Sequence, residues 1–148
     1  MRLGIVGCGE VVVQGHLPVL RDLSEFQVAA LADGSEDQLA VAAKAAGMPA
    51  ERCFTDYRDL LALTDLDAVL VATPPSMRAG ILQAAGRAGL TVISEKPLAT
   101  TLADADAILA NALADQCQIM MCHIERRNLR RSPVLPAYRH RPRSMPGS

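Results

Sequence analysis

Tryptophan is missing from this chain, and two tyrosines and two phenylalanines are its only aromatic residues among 148. A core built on large rings is excluded. The half of the chain that is hydrophobic must pack mainly as Ala, Val, Leu and Ile, which is how helices layered on a parallel sheet read in sequence. No apolar run reaches the roughly 18 residues a membrane span needs, and the N-terminus enters a strand-like segment without a signal-peptide pattern. The sequence therefore reads as a soluble, cytoplasmic protein with no membrane partner. Four cysteines, Cys8, Cys53, Cys117 and Cys122, contain no C-x-x-C pair. A cluster of Cys117, Cys122 and His123 would have two adjacent members and no fourth ligand, so the cysteines read as buried structural residues and no metal site is expected. The length holds one ordinary domain and leaves no room for a second full one.

Charge is nearly balanced, with 15 Lys and Arg against 16 Asp and Glu and a net charge of -1, but it is unevenly placed. Residues 126–148 hold seven arginines and no acid, which leaves residues 1–125 at -8. The chain thus divides into a folded domain over residues 1–125 and a basic tail over 126–148. The tail is rich in Arg, Pro and Ser with little hydrophobic periodicity, a composition that cannot bury enough surface to fold alone. It is expected to be disordered or a remnant of an interdomain link. A basic arm for nucleic acid is the competing reading, disfavoured because the tail carries no recognition motif and the body behind it is acidic.

Along the body, strand-like and helix-like segments alternate. Arg2 to Val6, Gln27 to Asp33, a short stretch at Cys53 and Phe54, Asp67 to Ala72, Thr91 to Ser94 and Gln118 to Cys122 read as strands. The fourth of these is almost continuously apolar, as a central strand covered on both faces should be. Helices are expected from Gly15 to Asp22, from a Ser35 cap to Ala46 with a stop at Gly47, from Asp56 to about Leu63, and from Met77 to Ala88. The last opens at Thr101, with an apolar face of Leu102, Ala105, Ile108, Leu109 and Ala112. Each parallel pairing needs a crossover, and a helix follows each of the first five strands. The expected class is α/β, a Rossmann-type doubly wound parallel sheet.

Gly7-Cys8-Gly9 directly follows the first strand and precedes a helix, the context that gives a G-x-G pattern meaning. The first glycine permits a tight turn and the second lets the backbone approach a pyrophosphate, whose charge the helix N-terminus offsets. The cofactor-binding loop is assigned to Gly7, Cys8, Gly9, Glu10, Val11 and Val12. Val12 stands where a third Gly or Ala is usual, and a plain strand-to-helix turn is the alternative. Asp33 ends the second strand 24 residues after Gly9, near the spacing at which an acid accepts hydrogen bonds from the adenosine ribose. A carboxylate there repels a 2'-phosphate, and no Arg or Lys lies between Asp33 and Lys44, so NAD is expected over NADP. Asp33 also suits the cap of the helix that follows. Thr73-Pro74-Pro75 and Glu95-Lys96-Pro97 follow the fourth and fifth strands. Ligands in open parallel sheets bind beyond the carboxyl ends of strands, so Thr73, Pro74, Pro75, Glu95 and Lys96 join the cofactor-binding set. Lys96 would place an ammonium beside a substrate hydroxyl or carbonyl, where desolvation lowers its pKa. A surface lysine paired with an acid is the bland alternative.

Gly4 to Leu20 (GIVGCGEVVVQGHLPVL), Val71 to Pro75 (VATPP) and Val92 to Ala99 (VISEKPLA) resemble the N-terminal domain of the glucose-fructose oxidoreductase, inositol dehydrogenase and MocA family. The likeness runs from residue 1 to about Arg126. It implies hydride transfer between NAD(P) and a sugar, cyclitol or related polyol, and it places the lysine of E-K-P, here Lys96, at nicotinamide and substrate as the catalytic residue. Two departures stand out. Family members often carry a His in the helix after T-P-P where this chain has Arg78, and the family's second domain, which supplies most substrate contacts and the usual acid/base, has no room here. The expectation is a truncated reading of a longer gene. A catalytically inactive dinucleotide-binding module is the alternative.

Overall fold

The computed structural model describes residues 1–122; the tail expected over residues 126–148 lies outside them. Six strands form one parallel sheet: β1 (Arg2–Val6), β2 (Gln27–Ala32), β3 (Cys53–Phe54), β4 (Ala68–Val71), β5 (Thr91–Ser94) and β6 (Ile119–Met121). Their spatial order is β3-β2-β1-β4-β5-β6, the doubly wound arrangement. Alternate residues of the central strands feed two separate cores. Leu3, Ile5, Leu31 and Leu70 pack with Val12, Leu17, Leu39 and Ala42 on one face, while Val6, Ala30, Val69, Val71 and Val92 pack with Leu60, Ile81, Leu82 and Ile108 on the other. All four residues of β4 are buried, which explains its unbroken apolar run.

The first face is covered by α1 (Leu17–Arg21) and α2 (Glu36–Ala46), the second by α3 (Tyr57–Leu61), α4 (Pro75–Arg87) and α5 (Leu102–Ala114). Local chemistry sets their ends. The Ser35 hydroxyl accepts from Gln38 N–H, and α2 stops at Gly47 in a left-handed conformation (φ 64°) that L side chains avoid. Asp56 caps α3 by accepting from Arg58 N–H, and Thr101 caps α5 by accepting from Asp104 N–H.

Two segments depart from expectation. The helix after the glycine loop begins well before Gly15: Val11–His16 forms a π-helical stretch that runs into α1, with Leu17 N–H bonded to Val12 O five residues back. Three consecutive valines have no helical period and poor helix propensity, which hides this segment in sequence. Pro18 has no N–H to continue the ladder, and the α-helical register resumes only with Pro18 in its first turn. On α5, Ile108 alone of the expected face is buried, whereas Leu102 and Leu109 are exposed. The helix lies over an edge strand, so only a narrow stripe finds a partner among the described residues.

Candidate functional site

Strand order reverses between β1 and β4, so the chain leaves these neighbouring strands toward opposite faces and a crevice opens beyond their carboxyl ends. The crevice is a cleft of about 780 Å³ lined by the glycine loop, Asp33, Gln38, the segment Thr55–Arg58 and the turn from Ala72 into α4.

The two glycines of the loop do different things. Gly7 has φ +91°, and a Cβ on it would stand 2.8 Å from the backbone of Ala72 and Thr73. The two strand exits are pressed together there, and only glycine fits. At Gly9 the backbone conformation accepts any L residue, and the nearest atom to an added Cβ is Gln38 Oε1 at an ordinary 3.6 Å. The protein itself does not require a glycine at this position, so the space it leaves open faces the cleft.

Asp33 braces this loop. Its Oδ2 accepts from Cys8 N–H at 2.6 Å and its Oδ1 from Ser35 N–H at 2.8 Å, fastening the loop to the entry of α2. A carboxylate has about four acceptor sites, so each oxygen keeps capacity for a ribose hydroxyl. The Cys8 side chain points into the core. Burial first, and the nearby Asp33 charge second, push its thiol up to about 12, which keeps it protonated and unreactive.

The T-P-P and E-K-P loops are joined by a residue that sequence reasoning noted only as a departure. Arg78, 3% exposed on the first turns of α4, donates through Nε to Thr73 O at 2.8 Å and through Nη1 to Glu95 O and Pro97 O. Burial lowers its pKa, and the neighbouring Glu95 carboxylate counters that shift, with a lesser contribution from Cys122. Glu95 is itself buried; its Oε1 meets His16 Nε2 at 2.8 Å and its Oε2 accepts from Lys96 N–H at 3.0 Å. Thr73 Oγ1 is a buried side-chain oxygen without a hydrogen-bond partner among the described residues, and Thr73 lines the cleft. An orphaned hydroxyl and a glycine with vacant space before it are what a polar, phosphate-bearing ligand would complete, so the residues fit a dinucleotide.

Of the residues assigned from sequence, Gly7, Gly9, Asp33, Thr73, Pro74 and Pro75 share this one cleft. Cys8 and Glu10 border an adjoining depression beside Gln38, Val11 is exposed on the first turn, and Val12 is fully buried in the core with its N–H bonded to Gly9 O. Lys96 is exposed rather than desolvated, because no described residue closes over the E-K-P loop. Arg58, far from Asp33 in sequence, lines the same cleft because β3 pairs with β2. Its guanidinium is held by Asp56 at 3.1 Å and stacks 4.8 Å from the Tyr57 ring. Applying the strand-end rule to β3 would have found it.

Residues 1–123 match the model of a family described as an oxidoreductase family with an NAD-binding Rossmann fold, Gfo/Idh/MocA. A D-apiose dehydrogenase of Paraburkholderia graminis is 35% identical over 106 residues, covering 72% of this chain and 28% of the relative. A dehydrogenase from Bordetella pertussis, solved with NADH and UDP-GlcNAcA, superposes with a TM-score of 0.78 at 27% identity, covering 86% of this chain and 38% of that one. A 3-ketoreductase from Actinomadura kijaniata, solved with NADP and TDP-benzene, gives 0.75 at 28% identity over 87% of this chain and 40% of its own. The chain thus spans about a third of the length of such relatives. It belongs to the Gfo/Idh/MocA oxidoreductase family, of which it carries the NAD-binding Rossmann domain.

Proposed function

We propose that this chain is the cofactor-holding part of an oxidoreductase that transfers hydride between a nicotinamide dinucleotide, NAD in preference to NADP, and a carbinol carbon of a sugar, cyclitol or related polyol. The observation that carries the reading is the pair at the switch-point cleft: Gly9, whose open space the protein does not itself use, and Asp33, placed beside it at the end of β2. The Gly7–Gly9 loop would admit the pyrophosphate against backbone, and the Asp33 carboxylate would accept from the adenosine ribose while repelling a 2'-phosphate. Thr73 would offer its unpartnered hydroxyl from the facing wall. When bound, the nicotinamide supplies the hydride acceptor or donor. Lys96 would hold a cationic donor near the substrate oxygen, with its backbone steadied by the Glu95 carboxylate. The sugar dehydrogenase and nucleotide-sugar complex among the relatives support the substrate class.

Residues 1–125 are read as this domain and 126–148 as a basic tail or a remnant of an interdomain link, in a protein of the cytoplasm. One observation favours a non-catalytic dinucleotide-binding module instead: the exposure of Lys96, which leaves its ammonium hydrated. Fluorescence titration of the purified chain with NADH and NADPH tests the assignment. NADH is expected to bind, and more tightly than NADPH. NADPH binding as tight or tighter would refute the role of Asp33, and a folded chain that binds neither would refute the site.

A further inference from the structure

His16, Glu95 and Cys122 are remote in sequence, and none of them lines the dinucleotide cleft. The fold brings them together for a simple reason. β5 and β6 are parallel neighbours in register, with Ser94 opposite Met121, and Cys122 N–H continues the ladder by donating to Ser94 O at 2.9 Å. The next residues on each strand, Glu95 and Cys122, therefore leave the sheet side by side on the same face. The π-helical stretch of the first crossover ends above that face at His16. The imidazole nitrogen, one carboxylate oxygen and the thiol sulfur all lie within 4.8 Å of one another, with His16 Nε2 and Glu95 Oε1 at 2.8 Å.

We propose that His16, Glu95 and Cys122 form a three-ligand site for a borderline-soft divalent cation, Zn²⁺ in the first place. The donor set selects this class: thiolate and imidazole favour zinc-like ions over Mg²⁺ or Ca²⁺, which require oxygen ligands. The spacing suits it as well. Metal–ligand bonds of about 2.0–2.3 Å place tetrahedral donors about 3.5 Å apart, within the span these atoms already occupy. Small rotations of His16 and Glu95 would open their direct contact to admit the ion.

The surroundings support the arrangement. Glu95 is buried, and its second oxygen is held by Lys96 N–H, so the carboxylate is oriented before any ion arrives. Two anionic donors offset the dication, although they share their charge with the Arg78 guanidinium nearby. Three protein ligands leave a fourth position for water or an exogenous ligand, the pattern of an open rather than a closed zinc site. The ion would tie together the first helix and the ends of β5 and β6, at the base of the loop that carries Lys96.

The test is spectroscopic and does not depend on dinucleotide binding. The reduced full chain is titrated with Co²⁺ in place of Zn²⁺. The expected result is one equivalent bound, a thiolate-to-cobalt charge-transfer band, ligand-field bands of tetrahedral intensity, and loss of all three on adding Zn²⁺. Cys122→Ala should abolish the charge-transfer band while Cys53→Ala and Cys117→Ala retain it. His16→Ala should weaken affinity at least about tenfold, since loss of even an outer-sphere partner costs that much. Glu95→Gln keeps the buried side chain's shape and should weaken binding in a protein whose circular dichroism is unchanged. Failure to bind one equivalent, a charge-transfer band that survives Cys122→Ala, or unaltered affinity in His16→Ala would each overturn the site.

Discussion

Replacing the two loop glycines separately should break two different properties. In Gly7→Ala the added Cβ meets the backbone of Ala72 and Thr73 at 2.8 Å, a distance at which something must move, and those atoms belong to the exit of a fully buried strand. The residue must also hold φ +91°, which costs an L side chain roughly 1–2 kcal/mol. Displacing packed backbone adds about 1–3 kcal/mol. A total near 2–5 kcal/mol corresponds to a fall in Tm of about 8–20 °C for a domain of this size. Gly9→Val meets neither obstacle, since its nearest neighbour is a glutamine side-chain oxygen at 3.6 Å, and its melting temperature should stay within about 2 °C of the parent. Its methyl groups enter the space assigned to the pyrophosphate, so NADH affinity should disappear. Thermal melts by circular dichroism, with NADH titration of each folded variant, read both effects. A Gly7→Ala protein as stable as the parent would refute the packing argument. A folded Gly9→Val protein that still binds NADH would place the ligand elsewhere.

Two further outcomes follow from buried groups. Arg78→Met keeps the apolar stem but strips the donors from three backbone carbonyls, and should cost about 3 kcal/mol in urea unfolding and weaken NADH binding; a change under about 1 kcal/mol would mean that the loops hold without it. For Cys8, the unfolded thiol loses its proton near pH 9 while the buried one, pushed up to about 12, retains it, so stability falls as pH rises past 9. Between pH 8 and pH 10 the parent should lose about 1–2 kcal/mol more than Cys8→Ala, and parallel urea-melt series would contradict the burial argument.

What could be read from sequence was whatever depends on local pattern. The apolar β4, the Ser35 cap with its Gly47 stop and the order of alternating elements each rest on a few adjacent residues, and each stands in the structure at nearly the expected place. The glycine loop, Asp33 and T-P-P share one cleft because strand ends in a doubly wound sheet share one edge, a rule of topology that needs no coordinates. Contacts between segments were not legible. No periodicity announces that Arg78 reaches both the T-P-P and E-K-P loops, or that Arg58 lines the same cleft as Asp33. The π-helical start of the first crossover was hidden for a related reason: β-branched Val11 to Val13 have weak helix propensity, and Val12 is held helical while packed in the core beneath the sheet.

The cleft is braced by the protein before any ligand is present. Asp33 fixes the glycine loop from one side through Cys8 N–H, and Arg78 fixes the T-P-P and E-K-P loops from the other through three carbonyls. Both braces use a charged side chain against backbone, so they set loop positions without depending on the identity of the residues at the loop tips. The wall that meets a dinucleotide therefore loses little conformational freedom on binding, which keeps affinity in the domain itself. Lys96 is the contrast. Its backbone is steadied by Glu95, but its side chain is exposed and its ammonium is solvated. An ammonium in water gains little from a neighbouring hydroxyl, and its attraction to a developing oxyanion strengthens several-fold only when solvent is excluded. On the proposed function, holding the cofactor and activating the substrate would place different demands on this fold: the first would draw on braces within residues 1–122, and the second would require a surface that closes over Lys96.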